Sequence, residues 1–251
     1  MAEHPWRLDG RVALVTGASG GLGERFARVL HDAGAQVVVT ARRGHLLDAL
    51  QASCGDGIEV APGDIADPRH RQALVTHVEA RHGRLDILVN NAGTADSGAL
   101  EEQTLADLTG VIDVNLTSVL DLCRLAAPLL FAAPSASVVN VASIYGTVGS
   151  RSAMAGYNAT KGALINLSRH LAAQWGDRGV RVNALAPGYF PTDLTGHLSD
   201  PEFARSVAER TLLGRVPRID ELDGPLLFLA SDASSYVTGH TLLVDGGWTA
   251  V

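Results

Sequence analysis

Seven short apolar runs, several rich in β-branched residues, recur along the chain near residues 11–15, 36–40, 58–61, 86–90, 137–142, 180–186 and 241–245. Between most of them lie stretches whose apolar residues follow helical spacing, among them 22–33, 68–82, 105–132 and 156–175. Apolar strands alternating with helices predict a parallel sheet covered on both faces. No internal repeat, low-complexity tract or linker divides the chain. Its 251 residues are therefore read as one α/β domain, a doubly wound, mostly parallel sheet with helices on both faces.

The first run ends in Thr16-Gly17-Ala18-Ser19-Gly20-Gly21-Leu22-Gly23, which leads into a stretch where Phe26, Val29 and Leu30 recur at helical spacing. Strand, glycine-rich turn and helix is the setting a dinucleotide needs. Gly17 and Gly23 let the backbone turn tightly and approach a pyrophosphate, and the free N–H groups of a helix N-terminus favour an anion. The alternative is a tight turn with no ligand. In open sheets ligands bind beyond the carboxyl ends of the strands. That edge would gather Gly17–Gly23, Arg42, Asp64, Asn91, Ser143 and Pro187, each following a different strand.

Tyr157 and Lys161 are four residues apart on a predicted helix, so phenol and ammonium share a face. A phenol titrates near pKa ~10 in water, and a neighbouring cation is expected to lower that value toward a useful acid–base range. Ser143, 14 residues upstream of Tyr157, has a hydroxyl able to hydrogen-bond a carbonyl oxygen as charge develops on it. Taken alone, such a pair is most often a surface tyrosine beside a solvated lysine.

Together, these motifs resemble the short-chain dehydrogenase/reductase family over nearly the full length. The carriers are Thr16-Gly17 with Gly21 and Gly23, Asn90-Asn91-Ala92-Gly93, Asn115, Ser143, Tyr157 with Lys161, Pro187-Gly188 and Val244-Asp245-Gly246-Gly247. The resemblance implies a Rossmann fold and a catalytic set of Asn115, Ser143, Tyr157 and Lys161. It implies cofactor contacts from Gly17, Ser19, Gly21, Leu22 and Gly23 in the first turn, and from Asp64 and Ile65 at the adenine. Asn91, Ala92 and Gly93 would pass the ribose, while Tyr157, Lys161, Pro187, Gly188 and Thr192 would lie near the nicotinamide. By resemblance Lys161 holds ribose hydroxyls, and Asn115 kinks its helix and holds a water leading to solvent. Read without the family, Asp64 is a helix N-cap, Thr192 another, and Asn115 a residue satisfying local backbone groups.

The second run ends in Thr40-Ala41-Arg42-Arg43, where an NAD enzyme usually places a carboxylate for the ribose 2′-OH. Two guanidiniums suit a 2′-phosphate, so NADP(H) is preferred over NAD(H). Solvated surface charge is the alternative for Arg42 and Arg43, and Gly20 stands where related NADP enzymes often carry a basic residue.

Composition narrows the picture. With 27 acidic against 20 basic residues the net charge is −7, which argues against a general nucleic-acid binder. The nine histidines fall in no metal-ligand spacing, and no metal is expected. No apolar stretch is expected to approach the ~20 residues that cross a bilayer, and the N-terminal residues show no apolar leader. Two cysteines without framework spacing, Cys54 and Cys123, read as reduced thiols of a cytoplasmic protein. Residues 193–217, with Leu194, His197, Leu198, Phe203, Val207, Leu212 and Leu213, form the expected substrate lid. Ile144, Tyr145, Val148, Met154, Tyr189 and Phe190 suggest a small or medium ketone with an apolar portion, the alternative being that several of these apolar residues pack the core or a subunit interface, and Arg151 is either a carboxylate partner or a solvated loop residue.

The expected function is NADP(H)-dependent reduction of a carbonyl to a secondary alcohol, or the reverse, on a small-molecule substrate such as a 3-oxoacyl thioester or a sugar acid. The resemblance implies a homotetramer. Two alternatives stand beside it: a non-catalytic NADP(H)-binding regulator, and a nucleotide-sugar epimerase or dehydratase. The latter usually carries a longer C-terminal substrate region.

Overall fold

Buried, β-branched segments set the strands: β1 (Val12–Thr16), β2 (Gln36–Thr40), β3 (Ile58–Val60), β4 (Ile87–Asn90), β5 (Ala136–Val141), β6 (Val180–Pro187) and β7 (Thr241–Val244). They pair in the order β3-β2-β1-β4-β5-β6-β7, and every pairing is parallel. The structure, a computed structural model, describes residues 4–251 apart from the side chains of Asp193 and His197, so Met1–Glu3 and the lid side chain expected of His197 lie outside the described residues. The helices are α1 (Gly21–Asp32), α2 (Gly44–Cys54), α3 (Pro68–His82), α4 (Leu105–Ile112), α5 (Ser118–Phe131), α6 (Ala155–Trp175), α7 (Pro201–Arg210) and α8 (Asp223–Ala230).

The period of two along each strand divides the core into two faces. Leu14, Val38, Leu88, Val138 and Val182 meet Leu74 of α3, Leu122 of α5 and Leu164 of α6. Their neighbours Ala13, Val15, Val37, Val39, Ile87 and Val139 meet Phe26 of α1, Leu47 of α2 and Leu226 of α8. Full burial of one such leucine or phenylalanine stabilises the fold by about 1.5–3 kcal/mol. Both sheet faces are therefore covered, and site residues are left at the strand ends.

Two sequence expectations change here. Asp64 does not cap α3, because Pro68 starts the helix and Asp67 caps it, accepting from the Arg69 N–H at 2.9 Å. Asp64 instead accepts from the Ala66 N–H at 2.9 Å in the loop before it. The run from Leu105 to Phe131, 27 residues with a mean hydropathy of 1.4 over an 18-residue stretch, is long and apolar enough to cross a membrane by length and composition, contrary to expectation. The Leu122, Cys123 and Ala126 side of α5 packs into the core against α3, as in a core helix. A π-helical turn at Asp113–Thr117 joins α4 to α5.

Sheet order reverses between β1 and β4, the point at which such folds bind ligands. The Thr16 hydroxyl holds the two strand ends together, accepting from the Asn91 and Ala92 N–H groups at 3.0 Å each. The Asn91 amide donates back to the Thr16 carbonyl at 2.9 Å. Gly23 makes the approach of α1 feasible, since a Cβ there would sit 2.2 Å from the Gly17 carbonyl oxygen and 2.5 Å from the Asn91 amide nitrogen. Gly17 turns with φ +72°, in the region that favours glycine.

Behind β4 and β5 runs a buried polar chain. The Asn90 amide donates to Asn140 Oδ1 at 2.8 Å and to Cys123 Sγ at 3.5 Å, and the Asn140 amide donates to Ser168 Oγ at 2.9 Å. Burial pushes the Cys123 thiol up to about 12.

Thr16→Val keeps the side-chain shape and removes the acceptor of two N–H groups. A loss of about 2 kcal/mol is expected, or about 4–8 °C in Tm for a chain of this size, measured by calorimetry. An unchanged Tm would refute the staple.

Candidate active site

The carboxyl edge of the sheet opens into a cleft of about 560 Å³. Asp64 and Ile65 follow β3, Arg42 and Arg43 follow β2, and the Gly17–Gly23 turn follows β1. Asn91, Ala92 and Gly93 follow β4, Ser143 follows β5, and Pro187 with Gly188 closes β6 ahead of Thr192. Tyr157 and Lys161 enter from α6. Every residue named for cofactor contact thus lines one cleft.

Asn115 does not line it. It is fully buried behind the wall, in the π-helical turn. Its amide donates to the Thr94 carbonyl at 2.8 Å and to Thr160 Oγ1 at 3.1 Å, and its Oδ1 accepts from the Thr94 N–H at 2.8 Å. The side chain therefore clamps the loop after β4 onto α6.

Helix α1 starts after Gly20, an extended residue with no side chain, so no local group caps its first N–H groups. An anion at that end would accept them. Arg43 reaches across to the same turn, donating from Nε to Ser19 Oγ and from Nη2 to the Ser19 carbonyl, both at 3.1 Å. The Thr192 hydroxyl, ahead of the 3-10 segment Asp193–Ser199, lies 3.1 Å from Thr195 Oγ1.

At the other end Ser143 is 5 % exposed, and its Oγ accepts from the Tyr145 N–H at 3.2 Å, ahead of a single 3-10 turn at Ile144–Gly146. Lys161 Nζ donates to the Val141 carbonyl at 2.7 Å and lies 5.5 Å from the centre of the Tyr157 ring. The expected lowering of the Tyr157 pKa is not what this geometry gives. Burial pushes the phenol above its ordinary value, a hydrogen bond with Ser143 pulls it back, and Tyr145 adds to the rise. The ammonium is itself deeply buried, and burial lowers Lys161 to about 8. The phenol is therefore held protonated.

Sequence reading missed Asp96. Its carboxylate, 8 % exposed, accepts from the Gly156 N–H at 2.9 Å, the Tyr157 N–H at 2.8 Å and the Gln103 amide at 3.1 Å. A usable signal did exist: a helix beginning after Met154 has no local capping side chain, so a distant acceptor must serve it.

A second cavity of about 410 Å³ lies over Tyr145, the Gly149–Ser152 segment, Tyr189, Arg210 and Trp248. The Tyr145 and Tyr189 hydroxyls are 2.6 Å apart, and the Arg210 guanidinium stacks 4.3 Å over the Trp248 ring. This wall is more polar than expected. Ile144 and Val207 turn inward to pack with Trp248, joined by Leu198 and Phe203, which leaves hydroxyls and guanidiniums on the surface.

Because the folded pKa of Lys161 is depressed, its charge opposes folding below pH 8, and that cost is relieved as pH rises from about 8 to 10.5. In cofactor-free protein, the Tm of Lys161→Met minus that of the parent should therefore fall across this window, by up to about 3 kcal/mol equivalent. A difference independent of pH, read by differential scanning fluorimetry, would contradict the buried charge.

A family model described as enoyl-(acyl carrier protein) reductase matches residues 17–249. Gluconate 5-dehydrogenase of Gluconobacter oxydans is 37% identical over 253 aligned residues, covering 98% of each chain. D-threitol dehydrogenase of Mycolicibacterium smegmatis is 36% identical, covering 98% of this chain and 96% of its own. Among solved structures, a gluconate 5-dehydrogenase from Burkholderia cenocepacia in complex with NADP and tartrate superposes with a TM-score of 0.91 at 37% identity, covering 98% of both chains. With matches of this length on a seven-stranded parallel sheet, the chain belongs to the short-chain dehydrogenase/reductase family, oxidoreductases acting on CH–OH and C=O groups.

Proposed function

We propose that the enzyme interconverts a secondary alcohol and a ketone with NADP(H), and that its substrate is a small polyhydroxylated compound, a sugar acid or polyol. The observation that carries this reading is one cleft with Ser143, Tyr157 and Lys161 at one end and Arg42 and Arg43 at the other. Bound NADP(H) supplies or accepts the hydride. In reduction the Tyr157 hydroxyl gives its proton to the substrate oxygen. The Ser143 hydroxyl donates a hydrogen bond to that oxygen and stabilises the charge forming there. Lys161 keeps N–H groups beyond the one spent on Val141 for the ribose hydroxyls and for the phenolate left behind.

The residues fit NADP(H). An uncapped helix N-terminus suits the pyrophosphate, and Arg42 and Arg43 suit a 2′-phosphate. Arg43 lies against Ser19, which supplies the cation that Gly20 lacks at the turn. Solved relatives hold NADP, and named relatives act on gluconate and threitol. The hydroxyl- and arginine-lined second cavity supports a hydroxylated substrate over a 3-oxoacyl chain. Residues 193–217 serve as its lid: Leu194 and Thr195 border the first cavity, and Arg210 borders the second.

Turnover is followed by nicotinamide absorbance with NADPH and NADH against sugar acids, polyols and 3-oxo esters. Tyr157→Phe is expected to lower kcat by about 10²–10⁴-fold and leave NADPH binding intact. Near-normal turnover would overturn the acid–base role. Arg42→Ala is expected to raise KM for NADPH by about tenfold, roughly 1.4 kcal/mol, with KM for NADH unchanged. Equal loss for both nucleotides would refute the phosphate contact. Activity on 3-oxo esters alone would overturn the substrate class, and NADPH binding without turnover on any compound would favour the regulator.

A further inference from the structure

Tyr157 sits in the first turn of α6, where a helix is least held by its own hydrogen bonds. The residue before the helix, Met154, offers no capping side chain, and Arg151, Ser152 and Ala153 ahead of it are exposed. The N–H groups of Gly156 and Tyr157 are instead taken by the Asp96 carboxylate, one by each oxygen. That carboxylate comes from the loop after β4, 60 residues away from Gly156 in sequence. The same loop is fixed two residues earlier, where Asn115 binds both backbone groups of Thr94. The loop is thus tied at two points two residues apart, by Asn115 of the π-helical turn at Thr94 and by the backbone of Gly156 and Tyr157 at Asp96.

Several observations point to a built contact. Asp96 is 8 % exposed, unusual for a carboxylate outside an ion pair. Gln103 adds a third donor at 3.1 Å. Gly156 leaves the space, since a Cβ at that residue would stand 3.2 Å from Asp96 Oδ2. Burial pushes the carboxyl pKa up, but the Tyr157 and Gly156 N–H groups and the Gln103 amide outweigh it and hold the group below the ordinary range. Charge at this end is also favoured by the helix dipole.

We propose that Asp96 is a positioning residue for the reaction, its carboxylate fixing the first turn of α6 and so the place of the Tyr157 hydroxyl relative to Ser143. This rests on Tyr157 as the acid–base group. Displacement of a reacting group by about 1 Å can cost about 10²-fold in rate, so a frayed first turn affects kcat while the nucleotide contacts of β1 and β2 stay in place.

The test compares wild type, Asp96→Ala, Asp96→Asn and Tyr157→Phe. Asp96→Ala is expected to lower kcat by about 10–100-fold with Kd for NADPH within about twofold of wild type. Asp96→Asn keeps one acceptor oxygen and should fall between Asp96→Ala and wild type. Amide hydrogen exchange at Gly156 and Tyr157, read in cofactor-free protein, should speed up in Asp96→Ala and less in Asp96→Asn. Unchanged kcat in Asp96→Ala, or loss of NADPH binding in step with kcat in both Asp96 variants, overturns the proposal. The Tyr157→Phe control separates the two claims. An active Tyr157→Phe defeats the acid–base reading itself, whereas an inactive one beside a normal Asp96→Ala defeats only the positioning role.

Discussion

How closely the ends of β1 and β4 approach decides the rest of the structure. Parallel neighbours normally diverge into separate loops at their carboxyl ends. Here the Thr16 hydroxyl accepts from two successive N–H groups of the β4 exit, and the Asn91 amide returns the bond to the Thr16 carbonyl. Helix α1 can approach only because residue 23 has no side chain. From that junction the glycine turn and the Asn91–Gly93 segment run side by side, and both line the cleft. A nucleotide would therefore meet backbone already held by the protein, and binding would spend little on ordering it.

The chemical end is built by a different device. Ser143 sits at a strand end, where β5 gives way to a single 3-10 turn, so its hydroxyl is set by sheet geometry. Tyr157 and Lys161 belong to a 21-residue helix, and their orientation depends on how that helix is placed against the sheet. Lys161 is tied to the Val141 carbonyl at the end of β5, the strand that presents Ser143. Sheet and helix are thus joined through the proposed catalytic set itself. Burial then does two things at once: it favours the neutral form of each group, so the Tyr157 phenol holds its proton more tightly than in water and the Lys161 ammonium holds its own less tightly.

Much of this was legible in the residues. The strand runs, the glycine turn and the convergence of Arg42, Asp64, Asn91, Ser143 and Pro187 follow from periodicity and the strand-end rule, because both depend on local patterns. Effects that depend on distant partners were not legible. Asp96 stands in a loop without periodicity, and only the missing cap before Ala155 hinted at it. Asp64 and Asp67 are equally good capping residues by type, and Pro68 decided between them. Which of the apolar residues around the site pack inward was not legible either, because spacing cannot tell whether Ile144 and Val207 turn toward solvent or toward Trp248. The Tyr157 pKa was misjudged for a related reason: proximity to a cation could be read from i and i+4, but the depth of burial opposing it could not.

The buried chain from Cys123 through Asn90 and Asn140 to Ser168 bears on how this protein would respond to oxidants and thiol reagents. A thiol raised to about 12 and 2 % exposed has almost no thiolate to react. Cys54 at the end of α2 is half-buried and is the accessible sulfur of the two. Reagent consumption at Cys54 would report on the surface. Labelling of Cys123 would require the sheet and α5 to separate, so its rate would clock the opening of the core.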